Sequence, residues 1–208
     1  SMFLSFNGHL LPLTEHNASA RVIFSSKHAK QGISTYAMNF NNRIDTSSVI
    51  LNNPELPLTQ GRLHKAITQN KYGQGQNIYV AIVSYNYNQE DAIMGNQSVI
   101  DMGLFHTSHF KQYYDFETTD TKTGEEGHFY NPLYKDEIPE YPEELTANSR
   151  YNYTNLDKYG FPKPGTFLDE NSVVISKYVK TRDAGGRDVY TPMETKTKLG
   201  NEGSFVDK

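Results

Sequence analysis

From residue 77 the chain runs Asn77-Ile78-Tyr79-Val80-Ala81-Ile82-Val83-Ser84-Tyr85, nearly continuous in β-branched, aromatic and apolar side chains. Such a run predicts a strand buried on both faces. Polar residues 86–91 follow at once and predict a loop at the strand's end. Beyond Ala92-Ile93-Met94, Ser98 is placed to cap a short helix ending near Gly103. A second strand is expected over Ser172–Val179. Near the start, Asn17 precedes Ala18-Ser19-Ala20-Arg21-Val22-Ile23-Phe24, an N-cap followed by a helix expected to run to about Gln31, where Gly32 weakens it. Arg21, Phe24, His28 and Gln31 recur at steps of three and four and so share one helix face. That face is basic and polar with one aromatic ring, which is not a core stripe.

Between these elements the pattern weakens. Residues 47–60 hold Asn52-Asn53-Pro54 and Pro57 and read as loop or extended chain. From about 107 Tyr and charge dominate, Gly124-Glu125-Glu126-Gly127 reads as a turn, and the acidic, Pro-broken run 136–144 reads as an exposed loop. The tail 181–208 is poor in apolar residues and stops at Phe205-Val206-Asp207-Lys208, as if a strand had been cut. No internal repeat is present.

Composition narrows the picture. The 208 residues suffice for one large domain or two small ones. Mean hydropathy is −0.68, and no stretch approaches the roughly 18 apolar residues of a membrane span. The first residues lack the basic and apolar regions of a signal peptide. Without cysteine there are no disulfides and no thiolate metal sites. The net charge of −4 argues against a nucleic-acid binder until its distribution is considered. Residues 1–75 carry seven Lys/Arg against Glu15, Asp45 and Glu55, a surplus of +4, which leaves −8 on the remainder. A basic half beside an acidic half suits one face turned to phosphate, although two solvated faces would look the same.

Little chemistry follows from spacing alone. Glu90-Asp91, on the loop leaving the apolar run, offers hard oxygen ligands suited to Mg²⁺, above all Mg²⁺ already carried by a nucleotide's phosphates. An arbitrary Glu-Asp pair, however, is ordinarily solvated or N-capping. Arg21, Lys27, Lys30 and Gln31 present groups that pair with phosphate, sugar or base, and equally make a plain basic surface. His106 and His109 have i, i+3 spacing but no evident third zinc ligand. Three glycosylation sequons, at Asn17, Asn96 and Asn152, carry little weight without a signal peptide. P-loop, dinucleotide and nucleophile-elbow motifs are absent.

Longer strings are more specific. Gly75-Gln76-Asn77, Ala81-Ile82, Tyr87-Asn88-Gln89-Glu90-Asp91, Asn96-Gln97-Ser98 and Ile100-Asp101-Met102-Gly103 together resemble the second-largest subunit of multisubunit DNA-directed RNA polymerases, nearest the eukaryotic, archaeal and large-DNA-virus kind. Pro12, Glu15-His16-Asn17, Arg21, Lys30-Gln31, Asn39–Thr46 and Pro54-x-x-Pro57-Leu58 continue the likeness upstream. It is tight over 12–105 and loose through Leu156-Asp157, Gly160, Pro164-Gly165 and Val173-x-Ile175.

The resemblance implies a mixed α+β, β-rich fold. Residues 1–106 would form the first segment of a hybrid-binding region containing part of a double-psi β-barrel, and 107–208 a β-rich wall, or flap. It implies a nucleotidyltransferase that is active only within a multisubunit complex, with the largest and smaller subunits, DNA template, RNA transcript and NTPs as partners and no membrane. Glu90 and Asp91 would assist a second Mg²⁺ shared with the largest subunit. Arg21 would approach the nucleotide triphosphate with Phe24 beside it, and Lys30 and Gln31 would contact RNA. The compartment stays open between nucleus, for a cellular eukaryotic chain, and host cytoplasm or virion, for a virus. Three departures stand out: the loop Tyr85-Asn86-Tyr87 is one residue short, Met102 replaces a usual Arg, and the family's lysine-rich barrel segment does not follow before Lys208. The last implies a piece of a longer subunit. The rival reading is a non-catalytic nucleic-acid or protein binding module of the same ancestry.

Overall fold

The computed structural model describes residues 3–138, 141–196 and 203–208. They form two compact units, Ser1–Gln112 and Tyr113–Lys208. The architecture is mixed and β-rich, with few helices and open sheets.

In the first unit, α1 (Phe6–Leu10) opens on the cap Ser5, whose Oγ accepts from the Gly8 N–H. Helix α2 (Ser19–Gln31) follows and ends at Gly32, as the pattern predicts. Its cap is Ala18 rather than Asn17; the Asn17 side chain instead donates to the Leu13 carbonyl across the preceding 3₁₀ turn. Strand β1 (Ser47–Leu51) lies in the stretch expected to be extended. After α3 (Arg62–Thr68) and α4 (Gln97–Asp101), β2 (Thr107–Lys111) returns antiparallel to β1. The α4 cap is Asn96, whose carboxamide oxygen accepts from both the Ser98 N–H and its hydroxyl. Ser98 is therefore the capped residue, not the cap.

The apolar run 77–85 departs most from its pattern. It joins no ladder, and Ile78, Tyr79, Val80, Ile82, Val83 and Tyr85 are all exposed. A strand is stable only when a neighbouring strand pairs its N–H and C=O groups in a ladder, and no described strand pairs with this one. The segment is tied down at its base, where Asn77 donates to Glu55 and to the Leu56 carbonyl.

In the second unit, β3 (Thr118–Asp120), β4 (Glu125–Phe129), β6 (Val173–Arg182) and β7 (Asp188–Lys196) form an antiparallel sheet in the order β3-β4-β6-β7. The short β5 (Phe167–Leu168) pairs with β8 (Ser204–Phe205). Strand β6 is the predicted second strand, buried from Val173 to Tyr178 with a bulge between Val173 and Ile175. The predicted turn ends at Gly124, and Glu125–Gly127 belong to β4. A Cβ at Gly127 would lie 2.6 Å from Lys177 Cε and 2.7 Å from Thr118 Oγ1, so a larger residue there would have to displace these side chains. Strand β7 went unpredicted; it is an edge strand that accommodates Pro192. The acidic run is a loop, with Glu143 and Glu144 exposed and Pro139 and Glu140 outside the described residues. One core cluster is rich in tyrosine, Tyr130, Leu145 and Tyr178 with Tyr141 and Tyr190 against it, and another is aliphatic, Leu168, Val174 and Ile175.

Candidate functional site

Helix α2 carries the basic constellation, and its geometry follows from helical spacing. Val22 is buried and seats the helix on its unit, while Arg21, Phe24, Lys27, His28, Lys30 and Gln31 are exposed. The Arg21 guanidinium lies 5.9 Å from the centre of the Phe24 ring, and the Phe24 and His28 rings stack at 6.3 Å. The three side chains thus form one continuous strip along the predicted face. No ion pair holds Arg21, Lys27 or Lys30 to a carboxylate among the described residues. Their charge is therefore available to an external anion. A cleft of about 370 Å³ between the start of the chain and α2 is lined by Val22, Ile23, Lys27 and Lys30.

Glu90 and Asp91 form the tip of a tight turn. Both have positive φ, 55° and 65°, and the Ala92 N–H donates to the Gln89 carbonyl at 3.1 Å across them. Two successive positive φ values are those of a type I′ turn, which favours Asn, Asp and Gly over Glu. Both side chains are exposed, and neither makes a side-chain hydrogen bond or ion pair among the described residues.

The donor set bears on what these carboxylates can hold. Mg²⁺ takes six oxygens in near-octahedral geometry and keeps water or phosphate oxygens where protein ligands are few. No group of three or more His, Asp or Glu residues is placed to hold a metal among the described residues. Two adjacent carboxylates therefore fit an ion delivered with phosphates and do not make an all-protein site. His106 and His109 acquire no third ligand.

One residue of the string Tyr87–Asp91, given no role from the sequence, has one in this loop. Asn88 accepts from the Tyr85 N–H at 3.0 Å and donates to the Val83 carbonyl at 2.7 Å. Between Asn77 and Met102 it alone is not exposed.

Comparison with known families matches residues 8–206 to RNA polymerase Rpb2, domain 6. Among curated relatives, the RNA polymerase II subunit RPB2 of Encephalitozoon cuniculi is 33% identical over 184 residues, covering 88% of this chain and 15% of the relative. That of Meyerozyma guilliermondii is 31% identical over 215 residues, covering all of this chain and 17% of the relative. The subunit Rpo2 of Sulfolobus acidocaldarius is 38% identical over 114 residues, covering 54% and 10%.

Proposed function

Because the chain belongs to the RNA polymerase Rpb2 domain 6 family, and so is part of a second-largest polymerase subunit, we propose that it supplies positioning and charge to the active centre for RNA synthesis. It spans 15–17% of the length of the RPB2 relatives, so the activity belongs to the assembled enzyme. In this reading the first unit is hybrid-binding and contributes to a double-psi β-barrel completed by other segments. The second unit is the wall. The partners are the largest and smaller subunits, DNA, RNA and NTPs.

The observation that carries the reading is that Glu90 and Asp91 stand exposed and unpaired at a strained turn inside the matched region. Residues at sparsely populated φ cluster where function over-determines the backbone. Glu90 and Asp91 would hold the nucleotide-borne Mg²⁺, an ion that neutralises phosphate charge and stabilises the leaving oxygens. Arg21 offers a planar fork to the triphosphate, and the Phe24 ring under it limits its rotamers. Lys30 and Gln31, about two and a half turns further along α2 than Arg21, fall on the same exposed helix and suit the RNA backbone.

The test is an assembled polymerase carrying Arg21→Ala or the double change Glu90→Ala and Asp91→Ala. Arg21→Ala should raise the nucleotide concentration for half-maximal elongation by roughly tenfold or more, the loss of a charge-assisted hydrogen bond of about 1.5–3 kcal/mol. The double change should raise the Mg²⁺ requirement. Unaltered polymerisation across a Mg²⁺ titration would favour the non-catalytic binding module instead.

A further inference from the structure

We infer that Asn88 is a positioning residue for the Glu90-Asp91 turn, holding two carboxylates in a conformation they would not adopt unaided. The inference rests on the reading of that pair as metal-assisting, and it concerns a residue with no contact to the metal. Four observations converge on it. The apolar run 77–85 has no ladder to fix its end. The loop after it is nonetheless closed, because the Asn88 carboxamide bonds forward and back, accepting from Tyr85 N–H and donating to the Val83 carbonyl. Immediately beyond, Glu90 and Asp91 both sit at positive φ, where a side chain with Cβ is disfavoured. Finally, Asn88 is the one partly buried side chain in a stretch of more than twenty exposed residues.

The chemistry explains the choice of residue. Closing this loop takes an acceptor and a donor on separate atoms of a short, planar group, which a carboxamide provides; a hydroxyl carries both on a single oxygen, and carboxylate or alkyl groups lack the donor. Asp retains the acceptor for Tyr85 N–H but meets the Val83 carbonyl with a second acceptor. Ala retains neither. The brace reaches across a tight Asn86-Tyr87 turn. Once Asn88 is fixed, only Gln89 separates it from the strained pair, and the Ala92 N–H to Gln89 carbonyl bond closes the turn on that side. Outer partners of this kind tune metal affinity without touching the metal.

The experiment uses the whole polymerase, halted on a template with a 3′-deoxy RNA end so that no chemistry follows. Equilibrium binding of the matched nucleotide is measured against Mg²⁺ and in EDTA, for wild type, Asn88→Ala, Asn88→Asp and the double change Glu90→Ala and Asp91→Ala. Asn88→Ala should raise the Mg²⁺ concentration for half-maximal binding by roughly tenfold and leave binding in EDTA unchanged, with Asn88→Asp intermediate. If the double change shifts the Mg²⁺ curve and neither Asn88 variant does, the brace is refuted and the metal reading survives. If the double change shifts nothing, the metal reading fails and the inference falls with it. Equal weakening with and without Mg²⁺ means a general structural role and also overturns the inference. Should Asn88→Ala block assembly, Asn88→Asp decides by the same criteria.

Discussion

At the scale of single residues, two positions in the second unit have consequences that can be measured. Gly160 has φ +88°, and a Cβ there would fall 2.6 Å from the Tyr130 carbonyl oxygen and 2.7 Å from that of Ser176. Both obstacles are backbone, so nothing flexible can yield. Gly160→Ala should destabilise the unit by more than about 2 kcal/mol, combining the left-handed penalty with overpacking, and urea unfolding followed by circular dichroism would show it. Tyr130 is the second position. Burial, with the Glu194 carboxylate adding to it, pushes its phenol up to about 12. A phenol whose folded pKa is raised contributes stability that is complete below the unfolded value near 10 and disappears as pH rises from there through 12. Thermal midpoints should therefore fall steeply above pH 10, and Tyr130→Phe should flatten that fall. Because the buried Tyr130 hydroxyl makes no hydrogen bond of ordinary geometry among the described residues, with the Ser176 hydroxyl a weak partner at most, the same change should cost little at neutral pH.

At the scale of elements, β6 is held to the start of its unit by a buried charge. Lys177 is 6% exposed; its ammonium reaches Asp115 at 3.1 Å and the Phe116 carbonyl. Asp115→Ala strands that charge and should cost about 2–3 kcal/mol, less than a fully buried pair because a third of the Asp115 side chain meets solvent. Lys177→Met should be close to neutral, and equal losses from both changes would refute the account. Elements also show what the chain makes readable. Helix α2 and strand β6 follow local rules, since periodicity, a terminal Gly and a buried β-branched run need no distant partner. The run 77–85 obeys the same local rule and fails as a strand, because a ladder is a property of two segments. Strand β7 was missed for the converse reason: Pro192 and alternating polar residues conceal a strand that its partner β6 specifies. The basic strip on α2 was legible from spacing, while the Glu90-Asp91 turn and its Asn88 brace required backbone angles that no pattern encodes.

At the scale of the whole molecule, an extended apolar stretch meets solvent in a chain that spans about a sixth of its RPB2 relatives. Ile82 is 97% exposed, Val80 two residues before it 72%, and a hydrophobic run that joins no ladder is a template for association. The isolated chain should therefore self-associate with rising concentration and bind an apolar dye. Val80→Asp with Ile82→Asp places charge at successive i, i+2 positions, so that in a strand both would fall on one face. The double change should lower dye binding and light scattering in the isolated chain without altering the circular dichroism of its helices and sheets. In the full subunit, the proposed barrel would bury the same positions, and two carboxylates there would carry a desolvation cost. The double variant should then fail to co-purify with the largest subunit. Normal assembly of that variant would mean that residues 77–85 stay at the surface, and the barrel assignment for the first unit would have to be given up.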